Sequence, residues 1–271
     1  MNQRKSLKEL NLLDKFLFDE AMDDPENVKT MLDIILSQNT NLKHPSQTEK
    51  EQRTSTDNRQ IRLDVYAIDE DDVIYEVEAQ KENTHNLPKR SRLYQGIIDS
   101  KLLPPGVVDF NLLNEVLIML IMPFDLFGYG LYRYTFQMKC EEVPELKLDD
   151  GATRIFLNTR GKHPELVSPE LIELLKYMEH STDEISEACE SKRIQEMHRR
   201  VCQIKASEKA EVKYMQTWEE KILIKQEGER IGLERINRLN QKLIEQGRFD
   251  DLTKATSDSS YQEKLLKEFK I

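Results

Sequence analysis

Residues 115–123 contain the run Val116–Met122, VLIMLIM, in which every side chain is apolar. Successive side chains of a strand point to opposite faces, so a strand apolar on both needs cover on both. The run is well short of the ~20 apolar residues of a membrane-spanning helix. It predicts a central strand buried between helices, which places the chain in the α/β class. Two further strand-like runs follow, LYRYTFQMKC and TRIFLNTRG, separated by the acidic turn ELKLDDGA.

Upstream lies a different pattern. In IRLDVYAID, Leu63, Val65 and Ala67 alternate with Arg62, Asp64 and Tyr66. In VIYEVEAQK, Val73, Tyr75, Val77 and Ala79 alternate with Ile74, Glu76, Glu78 and Gln80. Each run has one apolar face and one polar, acidic face. The linker DEDD predicts a hairpin over residues 61–81, and the apolar faces set its register. Asp69 pairs near Val73, Ala67 faces Tyr75, Val65 faces Val77 and Leu63 faces Ala79. A slip of one residue would set apolar side chains against charges. The same register brings Asp64 across from Glu78, with Cβ atoms ~5 Å apart. Two facing carboxylates repel unless a cation lies between them.

Helices are expected around this sheet. Ser6 with Glu9 has capping-box spacing ahead of the stripe Leu7, Leu10, Leu13, Phe16 and Leu17. Asp24-Pro25 is an N-cap followed by proline and opens a second helix through Ile35. Residues 39–60 are polar and aperiodic, a loop with room for a ragged edge strand. A helix begins near Pro88 and stops at Pro104-Pro105-Gly106, and Ser168-Pro169 starts another. From about Thr182 to residue 246, glutamate, lysine, arginine and glutamine dominate and proline is absent. That composition predicts a long exposed helix or helical hairpin, without a strict heptad. Gly228 and Gly232 would each weaken it by about 1 kcal/mol relative to alanine, so a kink or a close helix contact is expected there. Residues 248–271 form a small helical cap around Leu252, Leu265, Leu266 and Phe269.

The formal charge of −10 over 271 residues argues against non-specific nucleic-acid binding by the whole surface. A basic patch nevertheless follows the acidic hairpin: Lys81, Lys89, Arg90, Arg92 and Lys101 against Glu82 and Asp99. The three cysteines form no CxxC and read as reduced thiols, and MNQRKSLKEL lacks an apolar signal core, so a cytoplasmic, membrane-free location is expected. The five histidines are scattered, without the spacing of a zinc motif.

Magnesium prefers one or two carboxylates together with waters and phosphate oxygens, and it activates water for attack on phosphorus. Asp64, Glu78 and the Ala79 carbonyl could supply such a site, and Gln80 stands where an amide would orient the attacking water. Alternation alone favours a solvated hairpin whose outer face is charged. Arg92 and Gln95, nearly a turn apart on the next helix, could face the same point. Glu76 lies a pleat further away, in an outer or solvated position, and Asp14 or Glu20 could complete the site. Alternation turns Lys81 to the opposite face. Asp125 is expected to organise a turn with Gly128 and Gly130, and the stripe Phe127, Tyr129, Tyr132, Tyr134, Phe136 to serve packing.

The stretches LDVYAIDEDDVIYEVEAQ, LPKRSRLYQGIID and PFDLFGYGLYRYTFQMKCEEVPELKLDDGATRIFLNTRG, with EGERIGLER and the terminal FDDLTKATSDSSYQEKLLKEFKI, cover most of the chain. Together they resemble the recombination-promoting nuclease/putative transposase family of the PD-(D/E)XK nuclease superfamily. The resemblance implies a restriction-endonuclease-like core over residues 1–180, with a central mixed sheet flanked by helices. Residues 181–271 would be a helical C-terminal extension. It implies a metal-dependent DNA endonuclease, a phosphodiester hydrolase associated with recombination or mobile elements. Asp64 and Glu78 would be the metal ligands and Gln80 would replace the usual lysine. Mg2+ would be the cofactor, with Mn2+ or Ca2+ as substitutes, and Lys89, Arg90, Arg92 and Gln95 would contact DNA. Homodimerisation through the C-terminal helices is a further expectation. The alternative is a catalytically weak nuclease fold kept as a DNA- or protein-binding module.

Overall fold

A computed structural model describes residues 5–44, 47–52 and 61–271. The parts of the expected 39–60 loop at 45–46 and 53–60 lie outside the described residues, as does the Arg62 side chain. The chain divides into two units, Met1–Glu211 and Val212–Ile271.

The first unit is built on a six-stranded mixed sheet with helices on both faces. Its elements are α1 (Lys15–Met22), α2 (Pro25–Leu36), β1 (Gln47–Gln52), β2 (Ile61–Ile68), β3 (Ile74–Ala79), α3 (Leu87–Asp99), β4 (Val116–Met122), β5 (Arg133–Phe136), β6 (Ala152–Asn158), α4 (Pro169–Glu179), α5 (Asp183–Ala188) and α6 (Lys192–Lys205). The strand order is β1-β2-β3-β4-β6-β5. β1, β2 and β3 form an antiparallel meander; β4 runs parallel to β3 and to β6, and β5 closes the far edge antiparallel to β6. The apolar run Val116–Met122 is thus a central strand, hydrogen-bonded on both sides and covered on both faces.

The hairpin register follows from the apolar faces as expected. Val65 pairs with Val77, Ala67 with Tyr75, and the Asp69 N–H donates to Val73 O at 3.1 Å. One part of the reading is corrected: the acidic face is not a solvent face. Tyr66, Ile74, Val116, Ile118, Leu120 and Met122 form a core with Leu87, Tyr94, Ile97 and Ile98 of α3. Glu76 and Glu78 share the parity of Ile74 and are therefore buried beneath α3. The opposite face, with Val65, Val77, Met119, Ile121 and Ile155, is buried as well. That face belongs to α1, which contacts β1 and β2, and to α2, α4 and α6 packed on α1 and on each other.

Several boundaries also differ from the pattern. Ser6 and Glu9 do bond, the Ser6 N–H donating to Glu9 Oε2 at 2.7 Å, but they open only a 3-10 turn over Leu7–Glu9. The helix expected across residues 7–17 is interrupted because one local and one distant side chain capture its backbone. The Leu13 N–H donates to Asn11 Oδ1 at 3.1 Å, and the Leu12 N–H to Ser181 Oγ at 3.0 Å. α3 ends at Asp99, ahead of the prolines, where Lys101 and Leu102 make i→i+3 bonds to Ile98 and Asp99. Where a long helix or helical hairpin was expected from Thr182 to residue 246, the chain forms three helices. Thr182 and Ser191 cap new helices through Ile185 N and Ile194 N, and Glu173 holds the intervening Glu190 and Ser191 N–H groups at 3.0 and 3.1 Å.

The 38-residue α7 (Glu208–Glu245) runs into the second unit. There Leu239 and Leu243 bury against Ala255 of α8 (Phe249–Ser257) and Leu265 of α9 (Ser259–Glu268), with Leu252, Leu266 and Phe269 alongside. Among the described residues, a Cβ at Gly228 or Gly232 would meet nothing within 4 Å, so none of them makes the close contact expected at those glycines. No described helix is long and apolar enough to cross a membrane.

Candidate functional site

The last ladder step between β2 and β3 is Val65–Val77, and beyond it the strands' hydrogen bonding changes. The Gln80 N–H still goes across to β4, donating to Ile121 O at 2.8 Å. The preceding Ala79 N–H faces the β2 side, where it favours the ionised form of the Asp64 carboxyl. Asp64 and Glu78, 5 % and 9 % exposed, thus meet where the hairpin opens. They line a cleft of ≈ 380 Å³ together with Asp14, Lys15, Ala79, Gln80 and Lys81. α1 starts at this mouth because Asp14 ends the preceding turn, accepting the Asn11 N–H at 3.1 Å.

Two side chains supply the positive charge that the facing carboxylates require. The Lys15 ammonium lies 2.6 Å from Asp64 Oδ1 and 3.0 Å from Asp19 Oδ2. Arg90, on the first turn of α3, places Nη2 2.6 Å from Glu78 Oε1 and also donates to Gln80 Oε1. Gln80 in turn donates through Nε2 to Glu82 O at 2.5 Å. Lys81 lines the same cleft, its ammonium 2.5 Å from Asp14 Oδ1, rather than turning away from it.

The charges are nonetheless unevenly matched. Glu76 is fully buried, and among the described residues neither of its carboxylate oxygens has a hydrogen-bond partner; Glu78 Oε2 is in the same state. Burial therefore pushes the Glu76 carboxyl well above its ordinary range, and the neighbouring Glu78 and Asp64 push it further. Burial raises Glu78 to about 7, against the pull of Arg90 and with a further push from Asp64. Asp64 is raised by burial despite Lys15 and the Ala79 N–H. Burial alone would lower Lys15, but Asp64 and Asp19 outweigh it and hold the ammonium charged.

The structure gathers Asp64, Glu78, Ala79, Gln80 and Arg90 at one place. Lys89 and Arg92 are exposed on α3. Gln95 is buried, its Nε2 donating to Asp99 Oδ1 at 2.9 Å and its Oε1 without a partner among the described residues. Lys15 is the residue that sequence reasoning missed: it is 49 positions from Asp64 and reaches it only through packing of α1 on the sheet. Asp14, left open beside Glu20, does lie in the cleft. The FDLFGYG segment is structural. Asp125 accepts the N–H groups of Phe127, Gly128 and Gly130 and the Tyr134 hydroxyl, while Phe127 packs on Tyr134, Phe136 and Phe156 at 4.9 to 5.2 Å.

The carboxylates of the cleft are those of Asp14, Asp64, Glu78 and Glu82, and among the described residues one of their buried oxygens, Glu78 Oε2, has no hydrogen-bond partner. Such a set fits a hard divalent cation such as Mg2+ or Mn2+. A comparison with family models, with curated proteins and with solved structures finds no match in any of the three.

Proposed function

We propose that the chain is a metal-dependent DNA endonuclease of the PD-(D/E)XK type. The observation that carries this reading is the convergence of Asp64 and Glu78, from adjacent strands of one hairpin, on one cleft, where the buried Glu78 Oε2 has no hydrogen-bond partner among the described residues. The order of elements supports it: helices, an antiparallel three-stranded meander, α3, then a parallel central strand. The cleft stands at the carboxyl end of β3, the side of a parallel sheet where ligands enter.

Asp64 and Glu78 would hold Mg2+, which would polarise the scissile phosphate and lower the pKa of a bound water. The protein's own groups do the rest. Gln80, fixed by Glu82 O, presents its amide to a water in the cleft. Lys15 supplies the positive charge absent from position 80 and favours the ionised form of Asp64 against its burial. Arg90 exchanges Glu78 for a phosphate oxygen, a pairing its guanidinium makes in bidentate fashion. Exposed Lys89 and Arg92 contact the DNA backbone near the cleft. The link to recombination or mobile elements rests on the sequence resemblance.

A second reading has its own observation. Lys15 and Arg90 already neutralise the two carboxylates, as in a nuclease fold retained for binding. Supercoiled plasmid incubated with Mg2+ or Mn2+ separates the two. Nicking by the parent that Asp64→Ala and Glu78→Ala both lose supports the endonuclease. Equal nicking by all three, or none with either metal, overturns it.

A further inference from the structure

A second set of ligand atoms converges away from the cleft, and it is of another chemical kind. Asp183 opens α5, while His198 and Cys202 lie four residues apart on one face of α6. Asp183 Oδ1 is 2.8 Å from His198 Nε2, Cys202 Sγ is 3.3 Å from the same nitrogen, and Sγ to Oδ1 is 3.8 Å. All three ligand atoms fall within 4.8 Å of one another. Around a tetrahedral zinc ion, bond lengths of ~2.0 Å to N and O and ~2.3 Å to S set these separations at about 3.3 to 3.6 Å. The three separations lie within about 0.5 Å of these values, and Cys202 Sγ, which is also 3.9 Å from His198 Nδ1, must swing from beside the ring by about 1 Å to reach an ion on Nε2. Scattered histidines hid this arrangement, because its third member comes from another helix.

We infer that Asp183, His198 and Cys202 form a binding site for a zinc-class divalent ion, with a fourth position open to solvent beside exposed Asp183. The outer shell is in place. His198 is buried, and its Nδ1 is 3.0 Å from the hydroxyl of fully buried Tyr177 on α4. A ligating histidine characteristically uses its second nitrogen in this way. In the tautomer with its proton on Nε2, the imidazole donates to Asp183 and accepts from Tyr177, and the Cys202 thiol lies beside Nε2. On binding, the thiol proton leaves to solvent, the imidazole proton moves from Nε2 to Nδ1, and the Tyr177 oxygen becomes the acceptor. One proton is released per ion, and α4, α5 and α6 become joined through one centre.

The test uses the chelator-treated full chain titrated with Co2+ and then Zn2+. One Co2+ per chain should give a thiolate-to-cobalt charge-transfer band that Zn2+ bleaches, and Zn2+ should raise the melting temperature. Cys202→Ser should abolish the band. Asp183→Asn, altered at an exposed position, should weaken binding at least tenfold, and Tyr177→Phe should weaken it roughly 10- to 100-fold. A double Asp64→Ala/Glu78→Ala variant should keep the band, which makes the outcome independent of the proposed nuclease cleft. Absence of the band in the parent overturns the inference. So does a band that survives Cys202→Ser, which would belong to Cys140 or Cys189.

Discussion

Replacing Glu78 with glutamine should stabilise the metal-free protein at pH 8. Burial holds the Glu78 carboxyl at about 7, against an ordinary value of 4.5. Between those values the folded chain keeps a proton that the unfolded chain has lost. Stability from this group is therefore full below pH 4.5 and is lost as pH rises through 7. The difference between 7 and 4.5, at about 1.36 kcal/mol per pH unit, corresponds to ~3 kcal/mol. The pull of Arg90 is already contained in that value, and glutamine keeps an acceptor for it. The gain is therefore ~3 kcal/mol, or roughly 6–12 °C in the melting temperature of a unit this size. Thermal and urea denaturation of parent and Glu78→Gln, in chelator at pH 5 and pH 8, reads this directly. The gap should be present at pH 8 and shrink at pH 5, and added Mg2+ should stabilise the parent alone. A variant less stable than the parent at pH 8, or a gap equal at both pH values, would refute the reasoning.

Three further outcomes are expected. Lys15→Met leaves the buried Asp64 carboxylate without its ammonium and should cost ~1–2 kcal/mol at pH 8, less at pH 5, as read by urea denaturation. Asp125→Ala strips the acceptor from three backbone N–H groups and the Tyr134 hydroxyl, for a loss of ~1–3 kcal/mol in the same assay. Burial would raise Asp125, but its four donors outweigh this and hold it below the usual range, so its contribution is present above pH 3.8 and fades below it. Gly161→Ala would drive a Cβ into the Tyr132 ring and should lower the melting temperature through ~1–3 kcal/mol of overpacking.

What the sequence disclosed and what it withheld divide along a physical line. The hairpin register was legible because a strand's side-chain period is two, so only one alignment buries Val65, Ala67, Tyr75 and Val77 together. The central position of Val116–Met122 was legible for the same reason, and Asp125 because its turn partners are local. Burial of Glu76 and Glu78 was not legible: a charged strand face reads as a solvent face until α3 is seen to cover it. Arg90 rather than Arg92 reaches Glu78, a difference of half a helical turn set by how α3 docks. Lys15 with Asp64, and Asp183 with His198 and Cys202, are pairings made by tertiary packing. No period along the chain encodes them. The interrupted helix near Asn11 and Asp14 shows the reverse case, in which side-chain hydrogen bonds, local except for that of Ser181, overrule a sound apolar stripe.

The central claim is that a hard divalent cation sits between Asp64 and Glu78. Anomalous diffraction from crystals of the full chain soaked in Mn2+ tests it most directly. The account predicts a peak within coordination distance of both carboxylates, about 2.0–2.2 Å, with Lys15 and Arg90 withdrawn from them. An empty cleft at saturating Mn2+, with the Lys15–Asp64 and Arg90–Glu78 pairs intact, would contradict it.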